Sequence, residues 1–268
     1  MIERTEDLAL FGQMVNLEGK DFRGKTVALG LSMDIAASQW TPVGTTDRPF
    51  MGTFDGDGHT ISGLWVDGEA DYTGFFHTIG SEGCVRNLHL VIADRGIKGG
   101  NRVAGLAGAC HGEVSHCAVT GNGTIAGLGY TVGGLIGSSY SGSVIQNSYT
   151  DVPVRAADAH KVHIGGLIGY LDRGTVSNSY ATGAVAMQRA DTCDVGGLIG
   201  YQKEGVITNC YATGTITVED AVETAVGGLV GKQCDRIEQS YSRSRIIQKD
   251  LIDSYVGELV GLNLTMPE

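Results

Sequence analysis

Positive charge is scarce in this chain: 19 Lys and Arg stand against 30 Asp and Glu, a net charge of -11 over 268 residues. Such a surface repels phosphate, so nucleic acid and anionic membrane are not expected partners, while calcium or a cationic surface stays open. Proline is also rare, at four residues against 42 glycines. Collagen would need proline in a strict triplet, and a disordered linker would hold far less than the 42% hydrophobic residues found here. No apolar run reaches the roughly 20 residues that span a membrane as a helix, which argues against insertion of this segment. Met1-Ile-Glu-Arg-Thr5 has neither the basic nor the apolar region of a signal peptide, so any leader is expected outside this sequence. No His-Glu-x-x-His occurs among the seven histidines, which speaks against zinc-peptidase chemistry. The recurring glycine motif, of which Val195-Gly-Gly-Leu-Ile-Gly200 is one copy, lacks the Lys-Ser/Thr ending and the following helix of a phosphate loop. No cofactor is expected.

What the chain has in abundance is repetition. Tyr72-Thr-Gly-Phe-Phe-His77, Val103-Ala-Gly-Leu-Ala-Gly108, Val132-Gly-Gly-Leu-Ile-Gly137, Ile164-Gly-Gly-Leu-Ile-Gly169, Val195-Gly-Gly-Leu-Ile-Gly200, Val226-Gly-Gly-Leu-Val-Gly231 and Val256-Gly-Glu-Leu-Val-Gly261 begin 31, 29, 32, 31, 31 and 30 positions apart. A second series follows in register, at Val85-Arg-Asn-Leu, Val114-Ser-His-Cys, Ile145-Gln-Asn-Ser-Tyr, Val176-Ser-Asn-Ser-Tyr, Ile207-Thr-Asn-Cys-Tyr and Ile237-Glu-Gln-Ser-Tyr. Glycines in mid-segment and β-branched apolar positions oppose helix and favour short strands. One such coil cannot bury its apolar face alone, but a stack can. The spacing therefore predicts an all-β, right-handed parallel β-helix of about seven to eight coils, with seven repeats rising roughly 34 Å at the strand spacing.

Stacking gives each column a meaning. Leu106, Leu135, Leu167, Leu198, Leu229 and Leu259, with Phe75 ahead of them, form a predicted interior ladder. The next column, Phe76, Ala107, Ile136, Ile168, Ile199, Val230 and Val260, is equally apolar although strand alternation would face it outward. A bend at the paired glycines would turn both inward. At the front, Thr5-Glu-Asp-Leu8 reads as the start of a short capping helix burying Leu8, Phe11 and Val15 and ending near Gly19. The chain is thus read as a single domain: a cap over residues 1–24, irregular first coils over 25–71, repeats over 72–261 and a tail over 262–268. No cap is visible after Gly261, so a further domain or partner is expected to cover that end.

The VGGLIG copies resemble the GLUG repeat, and Trp40-Thr-Pro-Val-Gly44 with Phe50 to Leu64 resembles the segment that opens many GLUG-containing proteins. The resemblance spans nearly the whole chain, with Glu258 and the degenerate coils at Tyr72 and Val103 as departures. It implies a secreted or cell-surface bacterial protein, often of gut commensals, with a role in adhesion. It also implies kinship with non-catalytic parts of immunoglobulin-A-specific metallopeptidases.

Candidate sites follow from the columns. Tyr149, Tyr180, Tyr211 and Tyr241 form an aromatic stripe that would bind glycan or protein if it faces outward, and would be a packing ladder if covered; the packing role is favoured. The companion column Asn87, Asn147, Asn178 and Asn209, with His116 and Gln239, reads as structural through amide bonding along the stack. Asp158, Asp191, Asp194, Glu219, Asp220, Glu223, Asp250 and Asp253 precede the repeat motifs and form a candidate acidic ridge, with no pair expected in register between coils. Asp158, Asp191, Glu219, Asp220 and Glu223 join the tyrosines as candidate binding residues. His160 and His163 read as polar surface, and Asp55-Gly-Asp57-Gly as a tight turn rather than a calcium loop. The six cysteines read as free, largely buried thiols, because Cys117 and Cys210 share a column yet lie ~14 Å apart by the strand spacing. The expected function is non-enzymatic adhesion through variable corners such as 156–161 and 218–224, directed at a glycan, a host protein or a neighbouring surface protein. A polysaccharide lyase or hydrolase, and a structural spacer, are the alternatives.

Overall fold

The computed structural model describes residues 1–265. Its strands pair in parallel, each with the equivalent segment one coil away, in a 13-stranded and a 15-stranded sheet. The chain is a parallel β-solenoid with one short helix. One interior column runs unbroken through eight coils: Val27, Phe54, Val85, Val114, Ile145, Val176, Ile207 and Ile237. Its first two members lie in the segment that reads as irregular in sequence, so the register begins two coils before the repeats become recognisable. The spacing there is close to that of the later coils, but Trp40-Thr-Pro-Val-Gly44 stands where they carry the glycine corner, with Val43 bridged to Phe76.

The paired-glycine corner explains why both apolar columns point inward. The chain bends at Gly134-Leu135 and its counterparts, between the strand Thr131–Gly133 and the strand Ile136–Ser139. Across that bend one carbonyl serves two successive donors: Leu135 and Ile136 both donate to the Leu167 carbonyl, at 2.9 and 3.1 Å, and Leu198 and Ile199 to Leu229. Leu135, Leu167, Leu198 and Leu229 and the neighbouring Ile136, Ile168, Ile199 and Val230 are all fully buried. Each such side chain contributes about 1.5–3 kcal/mol by leaving water.

Glycine is required here by crowding. A Cβ on Gly196 would overlap the Ile199 carbonyl oxygen, and one on Gly228 would overlap the carbonyl of Glu258 in the next coil. The same geometry accounts for Glu258 itself. It occupies the glycine position of the last coil, where no described residue stacks over it, and its side chain is exposed.

The capping helix spans Thr5–Asn16, three residues short of the expected end at Gly19. Asn16 stops it by turning its side chain to the first coil: Nδ2 donates to the Pro42 carbonyl at 3.0 Å, and Oδ1 accepts from the Gly44 N–H. Gly19 then supplies the left-handed turn, at φ +69°. Leu8, Phe11 and Val15 are buried as the apolar spacing predicts. Phe11 meets Phe22, Phe50 and Phe54 with ring centroids 5.3–5.5 Å apart. At the other end, the strand Val260–Asn263 pairs with Val230–Gln233, so the solenoid continues past Gly261 into the segment that reads as a tail.

Candidate functional site

The Asn-Ser-Tyr corner is built from three columns with separate tasks. Asn87, His116, Asn147, Asn178, Asn209 and Gln239 all take left-handed backbone, with φ between 46° and 54°. Each of the first five donates its N–H to a carbonyl in the next coil, as Asn147 does to Ser177 at 3.1 Å. The column is therefore asparagine-rich because asparagine tolerates that conformation. Amide bonding along the stack is a minor addition, seen between Asn209 and Asn178 at 3.3 Å. The next residue faces inward: Ser148 and Ser179 each donate to the carbonyl two residues back at 2.8 Å and accept an N–H from the preceding coil at 3.1 Å.

The third residue faces out. Tyr149, Tyr180, Tyr211 and Tyr241 stack with centroid separations of 4.9, 4.7 and 5.3 Å and interplanar angles of 5–8°. No segment covers them: the first three are half-buried and Tyr241 is 49% exposed. Yet each inner ring has both faces taken by its neighbours. On those inner rings only edges and hydroxyls remain for a partner; the two end rings each keep an outer face, Tyr149 toward Ala118 and Tyr241 with Arg243 5.8 Å away. Burial, reinforced by the neighbouring rings, raises the pKa of Tyr180 and Tyr211.

The acidic candidates share one long strand per coil, Val154–Gly165, Val185–Gly196, Thr215–Gly227 and Arg245–Gly257. Here the expectation that no carboxylates stand in register is overturned. Glu223 lies directly opposite Asp253, and the pairs flanking Asp220 place it level with Asp250. The missed signal was a second left-handed column, Asp158, Arg189, Asp220 and Asp250, with φ from 52° to 58°. Arg189 hides it in the sequence, and also breaks the ridge electrically. Its Nη2 donates to Asp158 Oδ2 at 2.9 Å, and that hydrogen bond lowers the Asp158 pKa. Asp191 contacts His160, and Glu219 sits between Gln188 and Lys249. Asp158, Asp191, Asp220 and Glu223 are exposed; Glu219 is half-buried. The ridge is thus a ladder of alternating charge, purely acidic only toward Asp220, Glu223, Asp250 and Asp253.

His163 and Asp194 depart further from expectation. The arms of the glycine corner fold close together and enclose the outward residues that flank it. His163 is 1% and Asp194 5% exposed, so neither belongs to a surface ridge. His163 Nδ1 approaches Asp194 Oδ2 to 2.7 Å without a well-aligned hydrogen bond, and Nε2 has no protein partner. Tyr130 and Tyr201 lie 5.1 Å from the imidazole and Tyr170 at 5.7 Å. Burial raises the pKa of both Tyr170 and Tyr201. His160, in contrast, is exposed.

Asp55 closes a turn. Its Oδ1 accepts from the Asp57 N–H and from Asn87 Nδ2, both at 3.0 Å, and Oδ2 accepts from Arg86 at 2.8 Å. Asp57 and Gly58 take left-handed backbone at φ 49° and 78°. All six cysteines are unpaired thiols, with Cys110, Cys117, Cys193 and Cys210 buried and Cys84 and Cys234 half-buried. Burial pushes the first three of those buried thiols up to about 12 and Cys210 up to about 11.

Residues 162–186 and 191–217 match the profile of the GLUG motif. Each matched stretch runs from just before a glycine corner, through the Asn-Ser-Tyr or Asn-Cys-Tyr corner, into the following strand. The chain is 41% identical over 108 residues to halomucin of Haloquadratum walsbyi, a match covering 40% of this chain and 1% of halomucin. It is 31% identical over 89 residues to a candidate Gly-rich membrane protein of Evansella cellulosilytica, covering 32% of this chain and 10% of that protein. The chain thus corresponds to a small part of each of these relatives. The crystal structure of a candidate immunoglobulin A1 protease from Bacteroides ovatus superposes with a TM-score of 0.68 at 21% identity, over 90% of this chain and 78% of that one. That likeness establishes the shared fold.

Proposed function

We propose that this GLUG-repeat solenoid is a non-enzymatic binding module displayed at the cell surface, where its rigid stack holds rows of corner residues outward for repeated contact with a glycan or protein. The observation that carries this reading is the register of the variable strands. From Val154 to Gly257 four successive coils present equivalent exposed side chains level with one another, including Asp158, Arg189, Asp220 and Asp250. Repeated, evenly spaced display suits avidity, in which weak contacts add on one scaffold. Similarity to halomucin and to a Gly-rich membrane protein supports placement outside the cytoplasm.

Catalysis is the weaker reading. Glu223 and Asp253 stand in register, but both carboxylates are exposed. General acid catalysis of glycoside cleavage asks for one carboxyl in a desolvating setting. A spacer role shares the same rigidity and differs in having no ligand. The test is direct: purified, fluorescently labelled protein is applied to glycan and extracellular-matrix arrays. Reproducible binding to a defined subset, lost when Asp158, Arg189 and Asp220 are replaced together by Ser, supports display through the corners. A clean blank on every array favours the spacer.

A further inference from the structure

The inner rings of the tyrosine stripe have no faces to offer, and one indole is a better placed platform. Trp40 lies parallel to Phe75, with 1° between ring planes and centroids 4.8 Å apart. Phe75 is fully buried and covers one face of the indole, while Trp40 itself is half-buried and lines a cleft, so the rest of the ring is what the cleft can use. The Nε1–H donates to the Phe75 carbonyl at 2.8 Å, which fixes the ring in its plane. This held aromatic plate borders a cleft of about 530 Å³ between the capping helix and the segment 34–41. The volume falls within the range of small-molecule sites, roughly 300–1,000 Å³.

The rim of the cleft is polar in a particular way. Gln13, Ser38 and Thr41 contribute an amide and two hydroxyls, and Glu6 and Asp34 contribute carboxylates. These side chains are exposed, and Asp34 commits one oxygen to the Ala36 N–H at 2.8 Å, keeping the other free. A flat apolar face beside planar amide and carboxylate acceptors matches a pyranose ring, which has a C–H face and an edge of hydroxyls. No Lys or Arg lines the cleft and two acids do, within a chain of net charge -11. Uronic and sialic acids would meet like charge there; a neutral sugar would not.

We propose that this cleft is a binding subsite for a neutral pyranose unit of an oligosaccharide, with Trp40 as the stacking platform and Gln13 and Asp34 among the groups that read its hydroxyls. The inference deepens the binding-module reading by assigning it a ligand class and a site at the capped end rather than on the tyrosine stripe.

Trp40 and Trp65 are the chain's two tryptophans, so in Trp65→Phe protein indole fluorescence reports on Trp40 alone. The full chain carrying that change is titrated with maltotriose, cellotriose and tri-N-acetylchitotriose, and with trigalacturonic acid as an anionic comparison. The expected result is a saturable fluorescence change with at least one neutral trisaccharide and binding at least about tenfold weaker for the acid. Trp40→Ala should abolish retention on the same sugar immobilised. Because losing Trp40 also disturbs packing on Phe75, the deciding variant is Ala9→Arg. Ala9 is an exposed helical residue on the cleft wall, where a long side chain fills the site without touching the core. It should leave the thermal unfolding curve in place and weaken binding by about tenfold or more. Absence of saturation with all three neutral sugars overturns the proposal, as does equal binding of the acid or unchanged binding by Ala9→Arg. Array binding that survives Ala9→Arg removes this site and leaves the module reading intact, whereas a blank array beside a positive titration does the reverse.

Discussion

The two ends of the solenoid solve the same problem differently. At the front, the first coil meets a helix whose Leu8, Phe11 and Val15 join Phe50 and Phe54 in the core, all five closed to water. At the back, the last coil repeats the same columns with no described residue beyond them. Val256 is 42% and Leu259 38% exposed, while Val226 and Leu229, one coil earlier, are fully buried. Residue type is unchanged, so the difference is one of neighbours. A repeat position has no intrinsic burial; its energy comes from the coil on either side. The backbone groups facing out from that last coil are likewise unpaired strand edge, which natural sheets usually cover or charge. Asp250, Asp253 and Glu258 place acidic side chains along it.

Breaking the capped end should cost most. Phe11→Ala removes an aromatic that touches three other rings and should lower stability by about 3–5 kcal/mol, read as a shift of the urea midpoint. The comparison is sharpest with one residue type at two depths. Leu198→Ala should cost about 2–5 kcal/mol and Leu259→Ala less than about 1 kcal/mol; equal losses would mean that the last coil is covered in solution. The tyrosine ladder gives a smaller version of that contrast. Tyr180→Ala forfeits two stacked neighbours and Tyr241→Ala one, so the first should cost more, within about 0.5–1.5 kcal/mol per ring pair.

Acid should loosen the early coils before the late ones. Burial lowers the pKa of His77, His89 and His111, all in the first half of the chain. A base with a depressed folded-state pKa binds fewer protons folded than unfolded, so stability present at neutral pH declines as pH falls below the unfolded value of about 6.5. Hydrogen exchange at pH 5 and pH 7 should show the larger gain in opening around residues 77–111, and His77→Gln with His111→Gln should flatten it. The smallest effect is on thiol reactivity. Cys84 and Cys234 should label first in the native protein, while Cys110, Cys117, Cys193 and Cys210 wait for unfolding, because buried thiols held near 11 to 12 carry little thiolate.

Much of the architecture was legible from period alone. Glycine and leucine columns about 31 residues apart require equivalent positions to stack, and stacking implies parallel pairing and a shared core. The capping helix was readable for the same kind of reason, since Leu8, Phe11 and Val15 fall on one helical face. The upstream coils at Val27 and Phe54 were not, because Trp40-Thr-Pro-Val-Gly44 replaces the glycine corner there and leaves no copy of the motif to align. The column Asp158, Arg189, Asp220 and Asp250 escaped because its common property is a backbone angle, which four different chemical contexts can share.

Sequence by itself determined the repeat, the parallel solenoid and the identity of the inward columns, because those depend on regular spacing and on which residues avoid water. Only the tertiary structure decided what the outward residues do. The glycine corner folds its own arms together and so buries His163 and Asp194, which alternation places outside. Stacking at 4.7–5.3 Å closes the faces of the inner tyrosines to a partner, although their hydroxyls remain at the surface. The helix and the segment 34–41, remote in pattern from any repeat, meet in a cleft that sets half-buried Trp40 beside a polar rim. Exposure of a side chain is set by the surfaces brought against it, and those come from parts of the chain that its local sequence does not specify.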